Sequence, residues 1–599
     1  MVVSAVMFFC GAMGIVDQHL WADDSSAQPG YRGPVDLLLM QNDTLALTAN
    51  ELSSSVSLVS LRDGRVLYEL PVGEKPQSLA KLNAKAMLVT CQNSGTLELL
   101  EIVDQKLQRT SSITIGYHPK GLAVDAVRMR AFVSLMATGE VAEVDLVERQ
   151  VIARHAVGRW PRYLALSPDG KRLAVGLSGD SAIAVLDAHH GEVLYEEPLS
   201  GGINLGHMEI SSDGQQVYVP WMVYRSNPIT VRNIRLGWVL ASRVARVRLD
   251  GPAYREAISL DVPRQAMSDP FGIAITPNEK RLVVTSSGTH ELLVYRLPDL
   301  PFVGAGGPGD LIDSRLLGDR DRFHRIELGG RPLAVRAMAN DRQVATVNFT
   351  RDSIQIVDLE ESQVQRSIAL GTPPADSNQQ LVHRGMEIFH DAGRSLDQWY
   401  SCQSCHLDGG SNAKAMDTWN DGSELTSKTV LPLVGVDETG PWTWHGWQQD
   451  LDDSLQNSFV STMQGTEATQ EDLAALKAYL SSCRSAPNPF IADGLSQAAA
   501  RGRLLFHRSD VGCSECHSGT RFTDGEVHDV GLNSSADKYQ GYNTPSLIDA
   551  YRKVRYLHDG RAKSLEAVLT EWHRPEDIGG GAELSEGEIA DLVEYIKTL

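Results

Sequence analysis

The stretch Cys402-Gln-Ser-Cys-His406 decides the fold of the C-terminal third, and its spacing returns as Cys513-Ser-Glu-Cys-His517. A Cys-x-x-Cys-His pentad is the attachment signal for c-type haem, because two thiols add to the porphyrin vinyl groups and the imidazole ligates the iron. Shuffling the chain's 7 Cys and 17 His through 599 residues would give about 0.002 such pentads. The sequence therefore predicts two covalently bound haem c groups, held by Cys402, Cys405, Cys513 and Cys516, with His406 and His517 as iron ligands.

Two other sites use paired cysteines. Zinc sites are built from Cys-x-x-Cys ligands, and redox-active dithiols have the same spacing. A zinc site does not need a histidine directly after each second cysteine, and a thioredoxin-like dithiol sits in a βαβ context that this sequence lacks. Haem attachment is therefore the favoured interpretation of both pentads.

Toward the amino terminus, residues 35–370 repeat one unit of short apolar strands. The units start at Asp43, Lys85, Met129, Lys171, Gln215, Lys280 and Arg342, at intervals of 42, 44, 42, 44, 65 and 62 residues. A period near 42 with several strands per unit is the signature of a β-propeller. Residues 35–370 resemble the YVTN-type seven-bladed propellers. We expect this propeller to serve as a platform for a partner or substrate. The two longer intervals predict insertions at about 221–268 and 296–325, where we expect contacts with a partner or another domain.

Toward the carboxyl terminus, the sequence repeats itself around the two pentads. A helical segment with one internal glycine precedes each pentad, at 384–390 and 501–507. A capping box opens an amphipathic helix after each pentad, at 469–472 and 585–588. We therefore predict a first cytochrome c domain at 378–484, a linker at 485–494 and a second cytochrome c domain at 495–599. The predicted fold class is multidomain, an all-β seven-bladed propeller followed by two mainly α-helical class I cytochrome c domains.

Residues 378–599 resemble the bacterial di-haem cytochrome c peroxidase family, including its MauG-like members. The resemblance rests on Asn543-Thr-Pro-Ser-Leu547, followed by Tyr556-Leu-His-Asp-Gly-Arg561, after the second pentad. In the first half, Trp442-Thr-Trp-His-Gly-Trp447 stands where the family has Trp-Asp-Gly-Arg. The resemblance implies that one haem collects electrons, that the other binds peroxide, and that Trp444 lies between them. A core aromatic packed on a haem face is the alternative for Trp444.

The resemblance fails at the distal iron ligands. In the family, a Met or Tyr ligates the second haem iron at the position that Trp572 occupies here. Tryptophan cannot ligate iron, so we expect the adjacent His573 to be the ligand. The alternative is that His573 is a surface histidine. Gln464 stands where the family has its catalytic acid and cannot shuttle a proton. Met463 beside it is either a sixth ligand of the first iron or a core residue, and Glu467 is near enough to replace the acid. The resemblance also implies Ca²⁺ between the haem domains, although no carboxylate cluster in the sequence identifies its site.

Bulk properties limit the partners and the location. The 599 residues suggest three or four domains, and a net charge of −21 argues against nucleic acid as a partner. The charge would suit a small basic redox protein as electron donor or acceptor, and a role in solubility alone is the alternative. Residues 1–16 are apolar and uncharged, too short to span a bilayer, and predict a signal peptide at 1–22 with periplasmic or otherwise exported location.

Three functions are compatible with the sequence. The first is a di-haem oxidoreductase of the peroxidase or MauG type. The second is a non-enzymatic electron carrier or redox sensor with two six-coordinate haems. The third is a propeller-based dehydrogenase that feeds electrons to the haems.

Overall fold

The computed structural model describes residues 29–304, 307–492, 494–578 and 581–599. The signal peptide predicted at 1–22 lies outside the described residues. Seven antiparallel sheets follow one another along the chain from Pro34 to Ala369; six have four strands and one has five. The seven-bladed propeller predicted from the 42-residue repeat is therefore confirmed.

The strands are named in chain order. Blade 1 contains β1 (Pro34–Met40), β2 (Leu45–Asn50), β3 (Ser55–Ser60) and β4 (Arg65–Pro71). Blade 2 contains β5 (Pro76–Lys81), β6 (Ala86–Cys91), β7 (Thr96–Val103) and β8 (Lys106–Thr114), and blade 3 contains β9 (Pro119–Asp125), β10 (Arg130–Leu135), β11 (Glu140–Asp145) and β12 (Gln150–Ala156). Blade 4 contains β13 (Pro161–Leu166), β14 (Arg172–Leu177), β15 (Ala182–Asp187) and β16 (Val193–Pro198). Blade 5 contains β17 (Gly202–Ile203), β18 (Glu209–Ile210), β19 (Gln216–Tyr224), β20 (Leu240–Arg248) and β21 (Arg255–Ser259). Blade 6 contains β22 (Pro270–Ile275), β23 (Arg281–Ser286), β24 (Glu291–Arg296) and β25 (Phe323–Glu327), and blade 7 contains β26 (Pro332–Ala337), β27 (Gln343–Asn348), β28 (Ser353–Asp358) and β29 (Gln363–Ala369).

The repeated apolar segments are the second strands of the blades, and these strands are almost wholly buried because both faces pack on neighbouring blades. The first predicted insertion includes the connection between β19 and β20, and it contacts the C-terminal third: the backbone N–H of Ile229 donates to the Asp417 carbonyl at 2.9 Å. The second predicted insertion includes the connection between β24 and β25. The longer intervals in the sequence thus correspond to extra loops.

The first strand of six blades begins with a proline, which suits that position because proline has no N–H to donate to the ladder. These prolines are Pro34, Pro76, Pro119, Pro161, Pro270 and Pro332. The residue before the proline has a left-handed backbone in five blades, at Gly33, Lys75, His118, Trp160 and Asp269. Such a backbone is uncommon for residues other than glycine. In four of these five blades the residue is not glycine and is thus held in an unusual conformation at the same edge of the propeller.

The regular structure of the C-terminal third consists of helices and two short hairpins. In chain order the helices are α1 (Val231–Arg235) and α2 (Ser314–Leu317) in the two insertions, then α3 (Ser377–Phe389), α4 (Cys402–Cys405), α5 (Leu451–Asn457), α6 (Gln470–Ser482), α7 (Gln497–Phe506), α8 (Cys513–Cys516), α9 (Leu565–Ala567) and α10 (Glu586–Lys597). Two short hairpins, β30 (Ala415–Met416) with β31 (Lys428–Thr429) and β32 (Val527–His528) with β33 (Tyr542–Asn543), follow α4 and α8.

Helices α3 and α6 cross in the first half of this region, and α7 and α10 cross in the same way in the second half. A glycine lies at each crossing. A Cβ added at Gly385 would lie 1.9 Å from the carbonyl oxygen of Ala475, and one added at Gly502 would lie 1.9 Å from that of Asp591. The internal glycines noted in the sequence are therefore required for the close approach of the two backbones.

Candidate functional site

Each pentad forms one short helix. In α4 and in α8 the two cysteines are three residues apart, so their thiols lie on the same side of the turn. All four thiols are free. The backbone N–H of His406 donates to the carbonyl of Cys402 at 2.8 Å, and that of His517 donates to Cys513 at 3.0 Å. The two pentads thus have the same local geometry.

Both imidazoles are oriented by a backbone carbonyl. The Nδ1 atom of His406 lies 2.9 Å from the carbonyl oxygen of Leu431, and that of His517 lies 3.1 Å from the carbonyl oxygen of Phe522. A carbonyl can only accept, so Nδ1 carries the proton and Nε2 is left with a lone pair for a metal. Burial lowers the pKa of both histidines to about 4, which keeps the rings neutral, as ligation requires.

The second pentad opens onto a cavity of about 940 Å³. Cys513, Cys516 and His517 line this cavity, and so do His573 and Trp444. Two thiols, a neutral imidazole with a free Nε2 and an adjoining cavity fit the haem c group that the sequence predicts. The first half supplies the same donor set, and Cys402 and Cys405 pack against a hydrophobic cluster that contains Met463.

Met463 and His573 occupy equivalent positions in the two halves. A one-turn π-helix precedes each, at Ser458–Thr462 and at Val568–Trp572. The backbone N–H of each residue closes the same hydrogen bond to the first residue of its π-helix, at 2.8 and 2.7 Å. Met463 is only 4% exposed. The two residues considered as distal ligands therefore arise from one repeated element, and π-turns are frequent at functional sites.

Trp444 lies at the boundary between the two halves. Its loop (442–448) matches the loop 556–562 of the second half, because each is closed by one isolated bridge between its ends. Trp444 thus corresponds to His558, and the two rings contact edge to face with centroids 6.4 Å apart. The contact is reciprocal: Asn543 donates its backbone N–H to the Trp444 carbonyl at 2.8 Å, and Thr429 donates to the His558 carbonyl at 2.5 Å. The indole N–H donates to the Thr429 carbonyl at 2.7 Å, which fixes the Trp444 ring.

Gln464 and Glu467 lie outside the cavity lining. Gln464 has a left-handed backbone (φ 52°), and its side-chain amide donates to the carbonyl of Ser461. Glu467 is exposed. The structure therefore brings Trp444, Cys513, Cys516, His517 and His573 to one cavity, but does not bring these two side chains to it.

The first pentad is held against the propeller by a buried carboxylate. Asp269, the residue before Pro270, accepts hydrogen bonds from the hydroxyls of Ser401 and Ser404, both at 2.7 Å. Burial raises the pKa of Asp269. These two serines flank Cys402, so the propeller directly positions the helix that carries the first pair of thiols.

A second contact uses a carboxylate of the C-terminal third and two cations of the propeller. Asp408, two residues after His406, lies 3.1 Å from the Arg162 guanidinium and 4.0 Å from the Lys120 ammonium. Burial alone would raise the pKa of Asp408, but the two cations outweigh it and hold that pKa well below its ordinary value. Both cations lie on the first strands of their blades, so Asp408 joins the C-terminal third to blades 3 and 4 of the propeller.

Three more residues of this propeller edge contact the C-terminal third. His118 Nε2 lies 3.0 Å from the Pro487 carbonyl oxygen, and Trp160 Nε1 donates to the Arg552 carbonyl at 2.8 Å. Asn204 of blade 5, also left-handed (φ 51°), donates to the Ser404 carbonyl at 2.8 Å. We call His118, Trp160, Asn204 and Asp269 the docking edge. Sequence reasoning missed it, although the residue-proline pairs at 118, 160 and 269 were a usable signal.

The chain was compared with known proteins. No protein-family model matches it. Hydrazine synthase subunit gamma of Kuenenia stuttgartiensis is 27% identical over 274 residues, covering 37% of this chain and 78% of that protein. The methylamine utilization protein MauG of Methylorubrum extorquens is 37% identical over 126 residues, covering 17% of this chain. The match spans 34% of the MauG protein, about a third of its length.

Among solved structures, Kuenenia stuttgartiensis hydrazine synthase superposes with a TM-score of 0.49 and 17% identity, over 56% of this chain and 99% of that chain. Within the described ranges, no helix combines the length and apolar character needed to cross a membrane.

Proposed function

We propose that this protein, in which a seven-bladed β-propeller is fused to a MauG-like region, is an exported di-haem c-type cytochrome oxidoreductase. It transfers electrons between two covalently attached haems. The observation that carries this proposal is the duplicated donor set: each half has two free thiols on one helical turn and an imidazole whose Nδ1–H is fixed by a carbonyl. A dithiol gives no reason for the histidine to be oriented in this way, and a zinc site does not need a histidine directly after each second cysteine.

The haem groups supply one-electron chemistry, and an iron with an open coordination position also binds peroxide. The chain's own residues position these groups. Trp444 contributes an indole at the boundary of the halves, fixed by its bond to Thr429. This position supports the role of an aromatic bridge between the two haems, as the resemblance implies.

The side chain that moves a proton during peroxide cleavage is not Gln464 in this proposal. Its amide is engaged with the Ser461 carbonyl, and an amide does not titrate. Peroxide turnover therefore depends on a residue other than the one at the family's acid position, and exposed Glu467 reaches the iron only if its loop moves.

A second candidate function is a non-enzymatic electron carrier or redox sensor. The equivalence of Met463 and His573 favours it, because each residue directly follows the one-turn π-helix of its half. With His406 and Met463 on one iron and His517 and His573 on the other, both irons would be six-coordinate and closed to peroxide.

The propeller, in this proposal, is the platform that positions the first haem and recruits the redox partner. The docking edge supports the first role, and the net charge of −21 suits a small basic electron donor or acceptor. Export to the periplasm is part of the proposal, because haem is attached covalently outside the bacterial cytoplasm. A Ca²⁺ ion between the halves is implied by the resemblance alone.

Electron paramagnetic resonance of the purified protein, fully oxidised and then half-reduced, tests the two candidates. A high-spin iron in either state, together with peroxide-dependent oxidation of a reduced cytochrome, supports the oxidoreductase. Two low-spin irons in both states, with no peroxide turnover, support the carrier.

Met463→Ala and His573→Ala then assign the ligands. Each variant of a true ligand converts one low-spin iron to high-spin and changes only that haem's spectrum. If neither spectrum changes, both residues are packing residues and the carrier proposal loses its support.

A further inference from the structure

A group of metal-binding side chains, two of them buried, lies between the two halves and outside both pentads. It consists of Asp421 and His445 from the first half and Asp537 from the second. One ligand atom of each lies within 4.8 Å of those of the other two. A cation bound here would therefore join the halves.

His445 points a free lone pair into this group. The residue is 5% exposed, and its Nδ1 lies 2.7 Å from the carbonyl oxygen of Gly541. Because a carbonyl only accepts, Nδ1 carries a proton, and in the neutral ring Nε2 is an acceptor that can ligate a metal. Nε2 has no hydrogen-bond partner among the described residues, and it lies 3.6 Å from Asp537 Oδ2. Two acceptors that face each other in a buried site repel unless a cation lies between them.

The two carboxylates are already oriented by outer partners. Asp537 is 6% exposed, and its Oδ1 accepts from Lys428 Nζ at 2.6 Å. Its Oδ2 faces His445 Nε2 at 3.6 Å and accepts a long hydrogen bond, 3.5 Å, from the Tyr542 hydroxyl. Asp421 Oδ1 accepts from the backbone N–H of Ser423 at 2.8 Å. Metal ligands are commonly held by such second partners. Lys428 balances one carboxylate, so the group retains one negative charge for a cation.

We propose that Asp421, His445 and Asp537 bind a Zn²⁺ ion that joins the two halves. One imidazole and two carboxylates are ligands that zinc accepts, with a fourth position for water. Ca²⁺ takes oxygen ligands only, so the Ca²⁺ implied by the family resemblance does not fit this group. Zinc has no redox chemistry, so the role is structural and does not depend on the proposed electron transfer.

Such an ion would stiffen the contact that holds Trp444. The Tyr542 ring stacks between the rings of His445, at 4.8 Å, and His558, at 4.2 Å, and His558 touches Trp444. Zinc at His445 therefore fixes one end of a stack of rings that ends at the boundary tryptophan.

The metal content of the full chain with both haems attached tests this proposal. After growth with added zinc and dialysis against a weak chelator, mass spectrometry of the elements should find one zinc per chain in addition to iron. Asp421→Asn, at a half-exposed position, should lower zinc affinity at least tenfold in a competition with a zinc dye. Asp453→Asn, an exposed carboxylate on α5, is the matched control and should retain the full zinc content.

A zinc K-edge X-ray absorption spectrum of the unmodified protein keeps the proposal testable if the variant does not fold. Nitrogen and oxygen neighbours without sulfur support the site. Sulfur neighbours would assign the zinc to cysteines and overturn it. A protein that takes up no zinc also overturns it.

Discussion

Replacing Asp269 should release the first pentad from the propeller. Its carboxylate accepts from Ser401 and Ser404, both at 2.7 Å, in a site where Asp269 is only 7% exposed. A hydrogen bond to a charged group contributes about 1.5–3 kcal/mol. Burial of the charge, which raises the pKa of Asp269, offsets part of the two bonds. We therefore expect Asp269→Ala to cost about 2–4 kcal/mol, and Asp269→Asn, which keeps the shape, about 1–2 kcal/mol.

Hydrogen–deuterium exchange of peptides that cover 396–409 measures this cost locally. Since about 1.4 kcal/mol corresponds to a factor of ten, exchange should accelerate about 30- to 700-fold in Asp269→Ala and about 5- to 30-fold in Asp269→Asn. Asp213→Asn is the control, because Asp213 also accepts from a serine hydroxyl, Ser211, but in an exposed turn of the propeller. It should leave exchange at 396–409 unchanged.

A double-mutant cycle of Asp269→Asn with Ser404→Ala should show a coupling of about 1 kcal/mol or more. Unchanged exchange in Asp269→Ala, with both haems attached, would refute the reasoning that this carboxylate holds the pentad.

Two further predictions concern the helix crossing and the docking edge. Gly502→Ala should destabilise the second half by about 1–3 kcal/mol in urea unfolding, because its Cβ would lie 1.9 Å from the Asp591 carbonyl oxygen. The control is Gly587→Ala, which has open space around it and should be neutral or stabilising. Equal effects of the two substitutions would contradict the crossing argument. Burial lowers the pKa of His118 to about 4. Between pH 6.5 and pH 4 the unfolded protein therefore binds more protons than the folded protein. The stability that His118 contributes, about 3 kcal/mol at most, is thus lost as the pH falls through that window. His118→Asn should flatten this part of the pH–stability curve; an unchanged curve would mean that the contact of His118 with the Pro487 carbonyl does not control the docking.

The repeat-based parts of the fold were predictable from the sequence. A period near 42 residues predicted the seven blades because each blade presents one fully buried second strand. The pentads likewise predicted two thiols on one helical turn followed by a histidine, since their spacing is a local property. Ligation of iron by these histidines stays a prediction.

The parts that depend on long-range contacts were not predictable. The reach of Asp269 to Ser401 spans 132 residues, and the approach of His445 to Asp537 joins two loops with no shared pattern. The equivalence of Met463 and His573 also needed the structure, because the two π-turns have different sequences. Local patterns report periodicity and motif chemistry, whereas the partner of a buried polar group depends on the folded topology.

The reciprocal contact around Trp444 and His558 has the form of an isologous interface within one chain. Each loop receives a backbone hydrogen bond from the hairpin of the other half, as two identical subunits do across a two-fold axis. The two halves thus have the arrangement expected of a duplicated single unit that paired with itself. The two loops differ at this contact, where one half has the indole of Trp444 and the other the imidazole of His558. Duplication would have allowed that one position to diverge, so that a symmetric pair of haem sites could acquire two different roles.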